Sequence, residues 1–353
     1  MKIIILTAKC GMGHYSVAKT LKEELEMQGN QAEIVDFYEL IFPKLNKLIY
    51  AIFNSMVSKL GRIYNFFYKF SANSNFMPLR KVIAKKLENL LGDEDIKIVI
   101  STFPVCSNYA SAYKKYKRKD LKLYTYITDV DVNKEWITPE TDMYCVASTL
   151  TKRQLENYNI NSEKILITGI PVKNEFKTNI INRYKKIPEI LIMGGGLGLF
   201  HDTENVLKEL IKNKNIHITL IAGKNKKIFD KYINKYENLT VIGYTNTVYN
   251  YMKKADLIVT KPGGITVFEA INSKTPIYAL IPFLSQEIGN AKFIERNGIG
   301  LVAWENTNLS AKNIISLVNS EKRLANMKQN MSRIINTFES DIFANIEEEK
   351  VVC

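Results

Sequence analysis

Short runs of aliphatic and β-branched residues alternate with helix-period segments along the chain. In the first half these apolar runs are Lys2–Thr7, Ala32–Asp36, Ile96–Ser101, Leu121–Thr128 and Met143–Ala147. Continuous apolar runs of this length are typical of parallel strands that are buried on both faces. The pattern therefore predicts an α/β fold built on a doubly wound parallel sheet.

A second series of strand patterns begins after Pro188. Its members are Glu189–Met193, His217–Ala222, Leu239–Ile242, Leu257–Thr260 and Pro276–Leu280. Because 353 residues exceed what one core usually serves, we predict two domains. We place them at 1–175 and 188–330, with a linker at 176–187 and a C-terminal helix at 331–353 that packs back on the N-terminal domain. Ligands bind beyond the carboxyl ends of such strands, so two facing domains would enclose a cleft.

Cysteine and histidine are too few and too scattered for a structural metal site. The chain has four cysteines without C-x-x-C spacing and three histidines. The first apolar run is too short for a signal peptide, and the longest later one, Leu48–Phe53, is far below the roughly 18 residues of a spanning helix. We expect a cytoplasmic protein without a transmembrane anchor.

The charge is strongly positive and unevenly distributed. Lys and Arg outnumber Asp and Glu by 49 to 36, a formal charge of +13, which favours anionic partners. Residues 40–87 contain no acid at all. Their nine basic residues are Lys44, Lys47, Lys59, Arg62, Lys69, Arg80, Lys81, Lys85 and Lys86.

Aromatic residues are interleaved with these basic ones. They are Phe42, Tyr50, Phe53, Tyr64, Phe66, Phe67, Tyr68, Phe70 and Phe76. Amphipathic helices here would place lysines at anionic head groups and rings at the acyl boundary; alternatively, the rings are core residues beneath solvated lysines. The absence of acids favours contact with an anionic membrane surface. No DNA- or RNA-binding motif supports a nucleic-acid partner.

Two glycine-rich turns follow predicted strands, one in each domain. The first contains Gly11 and Gly13, and the second contains Gly194, Gly195, Gly196 and Gly198. Such turns before a helix favour an anion, but a tight turn needs glycine whatever its function. The dinucleotide fingerprint is not met, because Ser16 stands at its third glycine position, and no P-loop lysine follows either turn. NAD binding is therefore disfavoured.

His14 directly follows the first turn, where a helix is predicted to begin. A histidine there is either a structural cap or a functional group. The positive helix end disfavours imidazolium, so a neutral ring could accept a proton from an acceptor hydroxyl. A base of this kind is what a sugar transfer needs.

Residues 241–300 hold the most specific constellation of polar groups. A strand ends at Lys261, Gly263 and Gly264 form a turn, and Thr266 and Glu269 lie early in the next helix. Threonine and backbone N–H groups suit a phosphate, whereas a carboxylate accepts hydrogen bonds from a ribose diol. Three further groups suited to a polyol follow the next strand: Gln286, Glu287 and Asn290.

These motifs resemble those of the glycosyltransferase family that contains monogalactosyldiacylglycerol synthases and processive diacylglycerol glucosyltransferases. More distantly, they resemble the N-acetylglucosaminyltransferase of lipid II synthesis. The matching motifs, in order, are GMGH at Gly11–His14, YITD at Tyr126–Asp129, TGIPV at Thr168–Val172, MGGG at Met193–Gly196, AGKN at Ala222–Asn225, GY at Gly243–Tyr244, TKPGGIT…E at Thr260–Glu269 and QE..NA at Gln286–Ala291.

The resemblance implies a GT-B fold, in which two Rossmann-like domains face each other across a cleft. It implies that UDP-glucose or UDP-galactose binds the C-terminal domain, without a cofactor or metal, and that His14 is the base of an inverting transfer to diacylglycerol. Glu269 would hold the ribose, and Gln286, Glu287 and Asn290 the diphosphate or sugar. The remaining donor-site residues would be Gly195, Gly196, Gly263, Gly264 and Thr266 at the glycine-rich turns, and Gly223, Asn225 and Tyr244 around the uracil.

The acceptor half departs from the family pattern. The His-Pro-Thr-Trp of plant-type synthases is replaced by Val132-Asn133-Lys134-Glu135-Trp136, so that only Trp136 is retained. Gly13, Asp129 and Trp136 are candidate acceptor-side residues. Asp129 and Asp131 also form a D-x-D, which binds metal in another glycosyltransferase fold, but a structural or acceptor-side role suits its position better.

The sequence therefore predicts a peripheral membrane enzyme that transfers glucose or galactose from a UDP-sugar to diacylglycerol. Two alternatives remain: transfer to a polyprenyl-linked or soluble acceptor, and an inactive protein that binds a nucleotide sugar.

Overall fold

The chain folds into two compact units. A computed structural model describes residues 2–10, 13–59, 77–178, 187–194, 203–307 and 309–339. The first unit comprises Met1–Pro171 with Thr337–Cys353, and the second comprises Val172–Asn336. Within the described residues, no helix has both the length and the apolar character needed to cross a membrane.

The first unit contains a six-stranded parallel sheet in the order β2-β1-β3-β4-β5-β6. Its strands are β1 (Lys2–Thr7), β2 (Gln31–Asp36), β3 (Ile96–Ser101), β4 (Lys122–Tyr126), β5 (Met143–Val146) and β6 (Ile165–Ile167). Its described helices are α1 (Gly13–Met27), α2 (Phe37–Ile41), α3 (Asn46–Lys59), α4 (Arg80–Leu91), α5 (Pro104–Tyr116) and α6 (Thr149–Asn157), with 3₁₀ turns at Lys134–Trp136 and Ser162–Lys164. The predicted parallel α/β fold is confirmed for this unit.

The second unit repeats this architecture with the strand order β12-β11-β10-β7-β8-β9, again all parallel. Its strands are β7 (Glu189–Met193), β8 (His217–Ile221), β9 (Leu239–Ile242), β10 (Leu257–Thr260), β11 (Ile277–Ala279) and β12 (Gly300–Val302). Its described helices are α7 (Asn174–Lys177), α8 (Thr203–Lys212), α9 (Lys226–Tyr232), α10 (Val248–Met252), α11 (Gly264–Asn272), α12 (Ser285–Arg296), α13 (Ala311–Val318) and α14 (Glu321–Ile335).

The strands form because their side chains are buried in the core on both faces of the sheet. The side chains Ile3–Leu6 of β1 are fully buried, as are Leu257–Val259 of β10. Burial of this kind contributes about 25 cal/mol per Å² of apolar surface, which explains why continuous apolar runs mark the central strands.

The chain passes between the units earlier than the predicted linker, 176–187. The division falls after Pro171, and α7 already belongs to the second unit. The C-terminal helix also differs from the one predicted at 331–353. It is α14, which ends at Ile335, and residues from Thr337 belong to the first unit. Residues 340–353 lie outside the described residues.

A short segment at the end of the described chain fastens to the edge strand β6. The Glu339 amide donates to the Ile167 carbonyl (2.7 Å), and the Ile167 amide donates to the Glu339 carboxylate (3.1 Å). Phe338 packs against Gly169, whose φ of +69° requires glycine and whose added Cβ would lie 2.6 Å from the ring. This local pairing with β6 explains why the helix does not continue.

Candidate active site

His14 lies in the first turn of α1, next to the carboxyl end of β1. Its Nδ1 is 3.0 Å from the Thr102 carbonyl oxygen and 2.8 Å from the Thr128 hydroxyl. The Thr102 hydroxyl donates to the His14 carbonyl, so Thr102 holds both the ring and the backbone. Gly13 begins the helix, and Gly11 and Met12 lie outside the described residues.

The contact with the Thr102 carbonyl favours one tautomer of the ring. A carbonyl oxygen only accepts, so Nδ1 carries the hydrogen and Nε2 keeps its lone pair. Burial lowers the pKa of His14 to about 4, and the bond to the Thr102 carbonyl acts in the opposite direction. The ring is therefore neutral at pH 7, with Nε2 as its basic atom.

Two aromatic side chains lie beside this ring, and an acidic residue follows one of its hydrogen-bond partners in the chain. The His14 ring meets Phe103 edge to face at 5.0 Å between centroids, and Trp136 lies at 6.3 Å. Asp129 follows Thr128, and burial, with smaller contributions from Glu135 and Asp131, raises its pKa to about 7. Of the predicted acceptor-side residues, Trp136 therefore lies near the His14 ring, Gly13 directly precedes it, and Asp129 follows Thr128, which contacts the ring.

The two carboxylates of the D-x-D sequence have different surroundings. Asp129 is partly buried, whereas Asp131 is exposed and accepts a hydrogen bond from Gln154 (3.0 Å). Among the described residues, no group of three His, Cys, Asp or Glu side chains has an arrangement that could hold a metal ion. Metal independence itself stays a prediction.

In the second unit, a Pro-Gly-Gly turn connects β10 to α11. Gly263 precedes the helix with extended backbone, and its amide donates to the Lys261 carbonyl (2.8 Å). Thr266 and Glu269 are three residues apart on α11 and therefore share a face. Burial raises the pKa of Glu269 to about 8, and the positive charge of Lys173 opposes this shift.

Glu287 and Asn290 are directed toward the protein interior. The Glu287 carboxylate pairs with the Lys261 ammonium (2.7 Å) and accepts the amides of Phe283 and Leu284 at the start of α12. The Asn290 amide donates to the Pro262 carbonyl (3.0 Å). Both side chains are buried, so in this chain they fasten α12 to the Pro-Gly-Gly turn; Gln286 is partly exposed.

The candidate uracil residues lie at the carboxyl ends of β8 and β9. Gly223 has a φ of +58°, which favours glycine, and the Asn225 side chain caps α9 by accepting the Ile228 amide. Tyr244 is 53% exposed, with the Lys224 ammonium 5.5 Å from its ring centroid. Gly195 and Gly196 lie outside the described residues, but Gly194 directly follows β7.

These groups meet at one edge of the second sheet. The turns after β7, β8, β9 and β10 all stand at carboxyl ends of parallel strands, which is where ligands bind in such folds. The sequence indicates no role for Thr102, Thr128 or Lys261, because their contacts join segments that are distant in sequence. Only the fold brings these partners together.

The ion pair between Lys261 and Glu287 yields a stability prediction. Lys261→Met leaves the Glu287 carboxylate buried without its cation, and we expect the free energy of unfolding to fall by about 2 kcal/mol at pH 7. Urea denaturation measures the change. The control is Lys212→Met, whose exposed pair with Glu209 is expected to contribute less than about 0.5 kcal/mol. Equal losses in both variants would contradict the prediction.

Comparisons with known proteins agree with the two-unit architecture. Residues 14–172 match the family model of monogalactosyldiacylglycerol (MGDG) synthase, and residues 189–346 match that of the glycosyltransferase family 28 C-terminal domain. Processive diacylglycerol beta-glucosyltransferases of Bacillus licheniformis and Bacillus pumilus are each 28% identical to this chain. The alignments cover 99% and 94% of this chain, and 96% and 91% of the relatives.

A solved structure shows the same fold. MurG of Acinetobacter baumannii superimposes with a TM-score of 0.62 at 15% identity, over 94% of this chain and 95% of that protein. Together with the two parallel six-stranded sheets, this likeness confirms the GT-B fold. Because both halves match in order, the chain belongs to the glycosyltransferase family that contains the monogalactosyldiacylglycerol synthases and the processive diacylglycerol β-glucosyltransferases.

Proposed function

We propose that the protein transfers glucose or galactose from its UDP-sugar to the hydroxyl of diacylglycerol, with inversion, to give a β-glycosyldiacylglycerol. As a member of its family the chain is a UDP-sugar-dependent hexosyltransferase. The names of its relatives support diacylglycerol as the acceptor. The observation that carries the mechanism is the arrangement of His14, whose Nδ1 is held by a backbone carbonyl and whose Nε2 is free of that bond.

The proposed reaction is a single displacement. The acceptor hydroxyl oxygen bonds to the anomeric carbon as its proton passes to His14 Nε2, while the bond from that carbon to the diphosphate oxygen breaks. Attack on an α-linked UDP-sugar from the opposite face gives a β-glycoside, and UDP leaves. A neutral imidazole is suited to this step because its lone pair is available at pH 7.

The leaving diphosphate would be stabilised by the second unit. The amides at the start of α11 and the Thr266 hydroxyl supply hydrogen-bond donors, and the helix dipole favours negative charge there. Glu269 would accept hydrogen bonds from the ribose diol. Since these groups offset the charge on UDP, we propose a reaction that needs neither a metal nor another cofactor.

Peripheral contact with the inner face of the cell membrane is part of this proposal. The described parts of the 40–87 stretch expose apolar side chains at Leu45, Leu48, Ile52, Leu79 and Val82. Lys44 and Lys47 are exposed beside the first three. Such a surface suits anionic head groups and the acyl boundary below them.

The direct test is product formation. Purified protein is incubated with UDP-glucose or UDP-galactose, diacylglycerol liposomes and EDTA, and the extracted lipids are analysed by mass spectrometry and proton NMR. We expect a hexosyldiacylglycerol with the β-anomeric coupling. The proposal fails if neither donor gives a lipid-linked hexose, and product on a soluble or polyprenyl-linked acceptor alone would favour those alternatives. Loss of activity in EDTA would reject metal independence.

A further inference from the structure

Helix α3 presents two opposite faces. Leu45, which directly precedes the helix, Leu48 and Ile52 are spaced by three and four residues and are 52–57% exposed, so they form one apolar stripe. Tyr50 lies two residues from both Leu48 and Ile52, which places it on the opposite side of the helix. There its side chain is partly buried against the first unit.

The Tyr50 hydroxyl bridges two segments next to His14. It donates to the Asp36 carboxylate at the end of β2 (2.5 Å) and accepts the backbone amide of Lys9 (3.1 Å). Lys9 stands in the turn between β1 and α1, five residues before His14. The Tyr50 hydroxyl therefore holds this turn at Lys9, close to the end of β1.

Asp36 is a firm anchor for this bridge. The side chain is 7% exposed, and its Oδ1 also accepts the Glu39 amide that starts α2 (3.0 Å). The Lys9 ammonium lies 3.7 Å from Oδ2, so Lys9 is held at both its amide and its side chain. The position of Lys9 relative to the end of β2 is therefore held by the buried Asp36 carboxylate.

A row of aromatic rings makes a second connection from Tyr50 to His14. The Tyr50 ring meets Tyr38 edge to face (5.9 Å between centroids), and Tyr38 meets Phe103 (6.4 Å). Phe103 in turn meets the His14 ring (5.0 Å). A movement of α3 would therefore displace both Lys9, in the backbone before His14, and the Phe103 ring that packs against the imidazole.

We propose that Tyr50 is a positioning residue that couples contact between α3 and an anionic lipid bilayer to the placement of His14. Contact of the apolar stripe with lipid holds α3 in place, and the Tyr50 hydroxyl then keeps Lys9 and Asp36 together. The exposed Lys44 and Lys47, in a stretch without acids, make an anionic bilayer the matching partner. This inference rests on the membrane contact in the proposed function.

Hydrogen exchange at the Lys9 amide tests the coupling without requiring turnover. The full chain is measured with and without vesicles of phosphatidylcholine and phosphatidylglycerol. In the wild type, vesicles are expected to slow exchange at Lys9 by about tenfold, because they stabilise its bond to Tyr50. In Tyr50→Phe the amide has lost its acceptor, so exchange is expected to be fast in both conditions. Vesicle flotation should stay unchanged, since the apolar stripe is intact.

Two further variants separate the steps. Leu48→Glu keeps the Tyr50 hydroxyl but places an acid on the stripe, and it is expected to lose both flotation and the vesicle effect at Lys9. Tyr116→Phe removes a hydroxyl from a tyrosine that is 78% exposed, and it should behave as the wild type. On diacylglycerol vesicles, Tyr50→Phe is expected to lower kcat about tenfold with the KM for UDP-sugar unchanged.

The outcomes distinguish this inference from the proposed function. If vesicles do not slow Lys9 exchange in the wild type, or slow it equally in Tyr50→Phe, the coupling is overturned. Equal loss of kcat on vesicles and on dispersed short-chain diacylglycerol would also overturn it, because a merely structural tyrosine has that effect. Absence of any glycolipid product rejects the proposed function, while the exchange result stands by itself.

Discussion

Replacement of His14 with alanine is expected to lower kcat by about 10²- to 10⁴-fold, the range typical for loss of a general base. The acceptor hydroxyl then has no group to take its proton as it attacks the sugar. UDP affinity is expected to stay within about twofold, because all the candidate nucleotide-binding residues belong to the second unit. Steady-state kinetics and calorimetric titration with UDP measure the two quantities.

The matched control is His217→Ala. His217 lies on β8, and its Nε2 contacts the Thr240 hydroxyl (3.0 Å) away from the glycine-rich turns, so this variant is expected to keep wild-type turnover. If His14→Ala keeps more than about a tenth of the wild-type kcat, the residue is a structural group and not the base.

The same residue makes a prediction about pH. A lowered pKa means that imidazolium forms only below about pH 4, so the base is available throughout the range from about pH 5 to 8. An ordinary histidine would lose its lone pair below about pH 6.5. NMR titration of the ring carbons is practical because the chain has only three histidines, and His14→Ala identifies the signal. A midpoint near 6.5 would contradict the environment described for the ring.

Much of the fold is predictable from the apolar runs, because central parallel strands are buried on both faces and leave a continuous signal. The strands β6 and β12, which have three residues each and lie at the edges of their sheets, were not predicted, whereas the equally short β11 was predicted because it lies within the longer buried apolar run Pro276–Leu280. The end of α14 was also missed, since the pairing of Glu339 with β6 joins positions far apart in the chain. Tertiary contacts decided these boundaries.

The candidate site was likewise predictable from the sequence only in part. The position of His14 after a glycine turn was visible in the sequence, but its tautomer depends on Thr102 and Thr128, which two other strands deliver. Likewise, the sequence grouped Glu287 and Asn290 as polar groups for a ligand. In the structure their side chains fasten the Pro-Gly-Gly turn, because both face the interior of the second unit. The residue types in the sequence indicated the chemistry of the site, whereas the direction of each side chain could be learned only from the folded structure.

Substitution of Glu269 with glutamine is expected to raise the KM for the UDP-sugar by about 10-fold to 100-fold, the effect of losing hydrogen bonds to a charged group. The ribose diol donates two hydrogen bonds, which the ionised carboxylate accepts and an amide only partly replaces. Glu209→Gln, an exposed change on α8, is the matched control and is expected to leave KM unchanged.

The pH dependence makes this test specific to the carboxylate. Since burial raises the pKa of Glu269 to about 8, its carboxyl group is mostly protonated at pH 7 when no UDP is bound. Binding of the diol favours the ionised form, so UDP binding should release a proton at pH 7 and tighten as the pH rises through about 8. Calorimetry in buffers of different ionisation enthalpy measures this release, which Glu269→Gln should abolish. Identical proton release in the variant would show that the ribose binds elsewhere.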